Sequence, residues 1–213
     1  MLKKLQATTG VIFAGFLALH LINTWLAATG PDTYDAVQGL LRTLYQFVAV
    51  EALLLAALAV HVVVGIMRIV KEPKRVLSLR SRMHRYAGVF LAFVVAGHVL
   101  AVRGPSWFFD VYPGFAGIAF SLEFLPGYFY PYYFLLGLAG FYHGLNGLSI
   151  ATGRLGWRVP VTPRLLAATT AVAGVLMVAA LLGLGGQLFD VGEPSNSAFA
   201  HLAGDILGVE PGT

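Results

Sequence analysis

The sequence predicts an all-helical protein that is integral to a membrane, and three observations lead to this prediction. Hydrophobic residues make up 58% of the 213-residue chain and charged residues only 11%, which is far from the composition of an average soluble domain. Several uninterrupted apolar runs reach the length of about 20 residues that a helix needs to cross about 30 Å of hydrocarbon. The charged residues are concentrated between these runs rather than spread over one face of a soluble fold.

Five apolar segments are long enough to serve as transmembrane helices. They cover residues 8–28, 46–69, 86–103, 129–151 and 165–186. The third segment is short for a span, so its helix must extend past Arg103 or stand nearly vertical. Together the five segments form one transmembrane domain over residues 1–186.

The connecting segments differ in composition, and each difference predicts a different structure. Residues 30–45 open with a Gly-Pro-Asp breaker and are predicted to form an external connection with room for a short helix. Residues 71–85 are predicted to form a basic internal loop. Residues 104–128 combine many aromatic residues with glycine and proline, which is typical of irregular structure in an aromatic belt. Residues 187–213 are predicted to form an external C-terminal tail.

The distribution of basic residues predicts the orientation in the membrane. Nearly all lysines and arginines fall on one side of the five-span arrangement, whereas Arg42 and Arg103 fall on the other. By the positive-inside tendency, the N-terminus is cytoplasmic and the C-terminus is external. The same clustering argues against nucleic-acid binding despite the net charge of +4. Lys3 and Lys4 followed by an apolar run imitate a secretory signal, but the full spanning length favours a first transmembrane helix.

Four histidines lie in four different apolar runs, and their depths form two pairs. A buried ionisable side chain costs several kcal/mol without a partner, so such residues are functional candidates by default. His20 and His98 are predicted in the outer half of the membrane, and we call them the outer pair. His61 and His143 are predicted in the inner half, and we call them the inner pair. At 1.5 Å per helical residue the two levels differ by roughly 10 Å.

Paired histidines at these depths favour two b-type haems stacked across the membrane. Two imidazoles fill both axial positions of one iron, which favours electron transfer over oxygen binding. Because the chain has no cysteine, covalent attachment through a CxxCH motif is excluded. A single intramembrane histidine is more often a packing residue, but the pairing of four by depth argues against that reading.

An internal repeat relates the first two histidine helices to the last two. The first and third helices share a Gly-Val pair ten residues before the histidine, which begins at Gly10 and at Gly88. The second and fourth share a His-x-x-x-Gly pattern that ends at Gly65 and at Gly147. Small residues here allow a macrocycle or another helix to approach the backbone closely. The first four helices are therefore predicted to form a haem-binding four-helix bundle of two related hairpins.

Several charged residues are further candidates, each with an ordinary alternative. Arg103 is a candidate for an outer haem propionate, or it only reaches to the interface. Glu51 is a candidate proton acceptor for quinol oxidation, or it hydrogen-bonds water. His84 is either a solvated residue of the basic loop or a contact to a quinone or propionate. The inner-side candidates for propionate contacts are Arg154, Arg68 and Arg85.

Three further polar residues are expected to be structural. Asn23 and Asn146 lie near two of the histidines and are predicted to make hydrogen bonds between helices. His201 is predicted to be a surface residue of the tail.

Four stretches of the sequence resemble one known family. They are GVIFAGFLALHLINTW (10–25), HVVVGI (61–66), RYAGVFLAFVVAGHV (85–99) and FYHGLNGL (141–148). They resemble the di-haem cytochrome b membrane anchor of succinate dehydrogenases and fumarate reductases, of the type with five helices in one polypeptide. The HxxNGL piece is the most specific of the four, although Ser149 follows it where the family has tryptophan.

This resemblance implies a place in a respiratory complex of a prokaryotic cytoplasmic membrane. It implies the same axial ligands and the same pairing of first with third and second with fourth histidine helix. It also implies an iron–sulfur subunit docked on the cytoplasmic face, which in turn binds an FAD-containing flavoprotein that carries out the dicarboxylate chemistry. The haems would exchange electrons with a quinone, menaquinone in the di-haem type.

Two other functions are compatible with the sequence. The first is a di-haem cytochrome b of another quinone-linked enzyme, such as a hydrogenase or formate dehydrogenase. The second is a histidine-based ion transporter without haem. The acidic residues that a transporter would place beside the histidines at mid-membrane are missing from the sequence.

Overall fold

A computed structural model describes residues 1–71, 77–157 and 159–208. Within these ranges the chain forms eight α-helices and no β-strand. The helices are α1 (Leu2–Leu26), α2 (Pro31–Tyr45), α3 (Val48–Lys71), α4 (Leu79–Phe109), α5 (Gly114–Phe124), α6 (Pro126–Arg154), α7 (Pro163–Leu184) and α8 (Ala198–Leu207). Part of the predicted basic loop (72–76), Arg158 and the last residues of the predicted tail (209–213) lie outside the described residues.

Five of these helices are long and apolar enough to cross a membrane. They are α1 with the 3-10 turn that follows it (Leu2–Thr29), α3, α4, α6 and α7. The five predicted spans are therefore confirmed as helices that are long and apolar enough to cross a membrane. The third span, expected to extend past Arg103, continues to Phe109 as part of α4.

The start of α4 corrects the prediction of a loop over residues 71–85. The helix begins at Leu79, so the residues around His84 are helical. The reason is local: Ser78 accepts the Ser81 backbone N–H through Oγ at 3.3 Å, which is an N-cap bond. No glycine or proline follows until Gly88, so nothing interrupts the first turns.

The aromatic segment 104–128 was predicted to be irregular and is mostly helical. Two of its three prolines fall where a helix tolerates them, because Pro113 directly precedes α5 and Pro126 is the first residue of α6. The third, Pro105, lies inside the last part of α4. Only the short connections at 110–113 and at Leu125 lie outside helices. The predicted helix within residues 30–45 is confirmed as α2.

The chain divides into two compact units, and the first contains three of the four histidine-bearing segments. This unit comprises Met1–Leu21, Leu40–Ala92 and Leu138–Ala173. Its helices approach closely where α6 carries small residues: a Cβ on Gly144 would lie 2.9 Å from Leu17 Cδ2 of α1. His20, His61, His84 and His143 all belong to this unit.

The second unit is built around an apolar core that includes the segments predicted as loop and tail. It comprises Ile22–Gly39, Phe93–Gly137 and the chain from Gly174 onward. Phe115, Tyr34 and Leu184 are buried in its core. The carboxylate of Asp35 accepts the Phe115 backbone N–H at 2.9 Å and so fixes the start of α5 to α2. In the predicted tail, α8 packs against α5 and buries Ala200.

Candidate functional site

The inner-pair histidines lie close together in the first unit. His61 projects from α3 and His143 from α6, and their ring centroids are 6.2 Å apart with the ring planes at 88°. Both side chains are half-buried. The structure therefore brings together the two residues that depth alone had paired.

A backbone carbonyl of a neighbouring helix fixes each of these two rings. His61 Nδ1 lies 3.1 Å from the Gln6 carbonyl oxygen, and His143 Nδ1 lies 3.1 Å from the His84 carbonyl oxygen. A carbonyl only accepts hydrogen bonds, so in both rings Nδ1 carries the proton and donates it. No hydrogen bond from the described residues reaches either Nε2. Each ring therefore offers the Nε2 lone pair as a ligand.

Glycine is required beside both rings. A Cβ on Gly10 of α1 would lie 2.9 Å from His61 Cε1, and a Cβ on Gly88 of α4 would lie 2.7 Å from His143 Cε1. These distances are too short for any side chain unless the imidazole moves. The sequence predicted that these glycines let a macrocycle or another helix approach the backbone closely. In the structure, the group that approaches is the imidazole of the next histidine-bearing helix.

A second pair of glycines completes the repeat. A Cβ on Gly65 would lie 3.3 Å from Gln6 Nε2, and a Cβ on Gly147 would lie 3.4 Å from His84 Cε1. Gln6 and His84 each stand four residues before the glycine that faces the ring. The two residues therefore occupy equivalent positions, and sequence reasoning did not identify Gln6.

His84 is not the solvated loop residue that the sequence favoured. Its ring is half-buried and stacks on His143, with centroids 4.1 Å apart and planes at 4°. Its Nδ1 atom is buried and has no hydrogen-bond partner within the described residues. The helical start of α4 explains the difference, because it turns His84 toward α6.

Arg68 contacts the side chain of Gln6. Its Nη1 atom donates to Oε1 of Gln6. Arg68 therefore lies beside the inner pair, as expected of an inner-side candidate, with the Gln6 amide as its neighbour.

The two histidines of the outer pair belong to different units of the fold. His20 is half-buried and stacks on Phe16, with centroids 5.5 Å apart and planes at 14°. His98 is half-buried on α4. His20 belongs to the first unit and His98 to the second, and their pairing remains a prediction.

The other charged candidates have varied surroundings. Arg103 donates to Ser106 Oγ, and its guanidinium carbon lies 5.3 Å from the centroid of the Trp107 ring. Glu51 is half-buried in the first turn of α3. Arg154 is exposed at the end of α6, and Arg85 is half-buried on α4. His201 is exposed on α8, so its prediction as a surface residue is confirmed.

The sequence analysis also did not identify one arginine in the first turn of α4. Arg80, one turn before His84, donates from Nε to Asn146 Oδ1 at 2.6 Å and from Nη1 to the Val161 carbonyl at 2.7 Å. Asn146 was predicted to make a hydrogen bond between helices, and this bond joins α6 to α4. Asn23, the other asparagine of that prediction, is 3% exposed.

Comparison with known proteins does not add to this site. No protein-family model, curated protein or solved structure matches the chain. Its function therefore has to be inferred from the histidines and from the residues that hold them.

Proposed function

We propose that this protein is a di-haem cytochrome b that anchors a succinate:quinone oxidoreductase in the membrane and carries its electrons to or from quinone. The observation that carries the proposal is the arrangement of His61 and His143. No hydrogen bond from the described residues reaches Nε2 of either ring, and a backbone carbonyl holds Nδ1 of each.

The spacing of the inner pair fits one iron between two imidazoles. With metal–nitrogen bonds of about 2.0 Å, two axial imidazoles on opposite sides of an iron have ring centroids about 6.3 Å apart. The observed centroid distance is 6.2 Å. Packed edge-to-face rings also lie about 4.5–7 Å apart, so the distance alone does not select a metal. Haem ligation is supported by this distance together with the two Nδ1–H groups that donate to backbone carbonyls and leave both Nε2 atoms to bind iron.

The neighbouring residues suit a ligand pair that must stay neutral and rigid. Haem iron with both axial positions filled by imidazole exchanges single electrons and leaves no position for oxygen. The backbone carbonyls of Gln6 and His84 keep Nδ1 protonated, which directs Nε2 to the metal. A Cβ at Gly10 or at Gly88 would come within 3.0 Å of one of these rings, so the absence of a side chain at both positions makes room for them.

The outer haem would be held by His20 and His98, as the depth argument and the family resemblance suggest. Arg103 would supply an outer propionate contact from the far side of the membrane. In this arrangement the four histidines would hold two haems that could pass electrons in two steps across the bilayer, and the N-terminus would lie inside and the C-terminus outside.

The proposed partners follow from the resemblance of the histidine motifs. An iron–sulfur subunit would dock on the cytoplasmic face and bind an FAD-containing flavoprotein that interconverts succinate and fumarate. Menaquinone is the proposed quinone, and Glu51 at the first turn of α3 is the proposed acceptor for the protons of quinol. The complex would lie in the cytoplasmic membrane of a prokaryote.

Purification of the intact complex from its native membrane tests this proposal. We expect two b-type haems per chain in a redox-titrated optical spectrum, together with a flavoprotein, an iron–sulfur subunit and succinate oxidation. Co-purification with a hydrogenase or formate dehydrogenase subunit would contradict the choice of complex and leave the haems in place. A preparation without a Soret band would contradict the cytochrome itself and favour the ion transporter.

A further inference from the structure

We infer that Arg80, Asn146 and His84 form a binding site for a carboxylate, and that this carboxylate is a propionate of the inner haem. The inference rests on the proposed function. It assigns the inner propionate to an arginine other than Arg154, Arg68 and Arg85, the three that the sequence suggested.

Arg80 is a half-buried cation without a carboxylate partner in the described parts of the chain. Its two hydrogen bonds go to neutral acceptors, the Asn146 side-chain oxygen and the Val161 carbonyl. It also lies in the first turn of α4, where the helix dipole is positive and no acidic residue is present. An anion would stabilise a partly buried cation whose acceptors are both neutral, and the Nη2 atom of Arg80 remains to bind one.

Asn146 adds a buried donor whose direction is fixed. The residue is 1% exposed, and its Nδ2 atom has no acceptor within the described residues. Because a guanidinium only donates, the amide oxygen must face Arg80, and rotating the amide cannot satisfy Nδ2 there. Buried donors without acceptors are rare in native proteins and indicate a missing partner.

His84 supplies the third polar atom without a partner. Its buried Nδ1 lies on a ring that stacks on His143 and meets Gly147 of α6. His84 stands one turn after Arg80 on α4, and Asn146 stands about one turn after His143 on α6. The three groups therefore surround one interface, next to the inner axial ligand.

The chemistry of these groups selects the ligand. A guanidinium and an amide N–H both donate, so the ligand must accept hydrogen bonds, and the charge of Arg80 calls for an anion. A haem bound through His143 carries carboxylates at its rim, within reach of an interface beside that ligand. A quinone carbonyl also accepts hydrogen bonds, but it would leave the positive charge of Arg80 uncompensated.

Substitutions at Arg80 test the inference in the assembled complex. We expect Arg80→Gln to lower the midpoint potential of the inner haem and to speed its loss, because a positive charge that favours the reduced iron has been removed. Arg80→Lys should keep the potential close to that of the wild type. The matched control is Arg82→Gln, which removes an exposed charge from the same end of α4 and should change neither haem.

Redox-difference infrared spectra keep the test decisive if Arg80→Gln does not assemble. With haem labelled by ¹³C at the propionate carboxyls, Arg80→Lys should shift a carboxylate band that Arg82→Gln leaves in place. An unchanged band in Arg80→Lys, an unchanged inner potential in Arg80→Gln, or a shift of a labelled quinone carbonyl instead would overturn the inference. Absence of both haems from the wild-type protein would overturn the proposed function itself.

Discussion

The α1–α3 pair and the α4–α6 pair hold their inner histidines through the same backbone contacts but carry different side chains at the Gln6 and His84 positions. In each pair the histidine Nδ1–H donates to a backbone carbonyl, that of Gln6 or that of His84. In each pair the histidine ring also lies against a glycine. At the equivalent position, however, one pair has an amide hydrogen-bonded to Arg68, and the other has an imidazole stacked on His143.

The comparison shows which features both pairs share, and therefore need in order to hold the histidine ring, and which feature varies between them. The carbonyl and the glycine decide the tautomer and the position of the ring, so both pairs need them. The side chain at the Gln6 and His84 positions does neither, so it could make the two sides of the proposed inner haem electrostatically unequal.

Removing an axial ligand is the strongest way to break the comparison. We expect His61→Ala and His143→Ala to lose the inner haem almost completely and to keep the outer one, with His20→Ala and His98→Ala doing the reverse. The haems can be counted from pyridine haemochrome spectra and redox titrations. Loss of the same single haem from His20→Ala and His61→Ala would show that the pairing is wrong.

The residue ten positions before each inner histidine also differs between the two pairs. It is Glu51 in α3 and Tyr133 in α6, and the Tyr133 hydroxyl lies 2.9 Å from Ser121 Oγ. We expect Glu51→Gln to slow quinol turnover by about 100-fold, since a positioned base contributes about that much or more. Both haem spectra should stay unchanged, and Tyr133→Phe serves as the control. Normal turnover of Glu51→Gln would remove Glu51 from the mechanism.

Glycine substitutions test whether the two rings are held by matched close contacts. In Gly88→Ala and Gly10→Ala the new Cβ must displace an imidazole, at a cost of about 1–3 kcal/mol. Inner-haem affinity should then fall by at least about five-fold. The controls are Gly15→Ala and Gly97→Ala, where a Cβ meets nothing within 4 Å. Equal haem contents in the two sets would contradict the close-contact role.

The smallest expected effect concerns the side chain at the Gln6 and His84 positions. His84→Gln makes the second pair resemble the first while keeping the backbone carbonyl that binds His143. We expect both haems to be retained and the electron paramagnetic resonance signal of the inner ferric haem to shift, because its axial ligand has lost a stacked neighbour. Gln6→Ala, which also keeps its carbonyl, should leave that haem bound. Complete loss of the inner haem in either variant would mean that the side chain, and not the backbone, holds the ring.

Hydropathy and histidine spacing predicted the spans and the inner pair because both depend on residue type. The outlines of α3 and α6 and the contact of His61 with His143 follow from that information. The role of Gln6 could not be predicted, since its contribution to His61 is a backbone carbonyl that every residue possesses. The ten-residue spacing from Gly10 and Gly88 marked the right positions but did not show that an imidazole fills the space.

Composition gave the wrong prediction at two segments whose structure depends on where a helix begins. The charged run before Gly88 resembled a loop, yet Ser78 starts α4 early and brings Arg80 and His84 into the site. The proline-rich and aromatic segment resembled irregular structure, yet Pro113 and Pro126 stand at helix starts. Positions relative to a helix end, rather than residue counts, determined both outcomes.

Electron paramagnetic resonance of the oxidised His20→Ala variant tests the central claim most directly, because only the inner haem should remain. His61 and His143 have ring planes at 88°, and nearly perpendicular axial imidazoles give ferric haem a highly anisotropic low-spin signal. We predict that signal at one haem per chain. A high-spin signal, or no haem signal at all from a folded variant, would contradict ligation of one iron by His61 and His143.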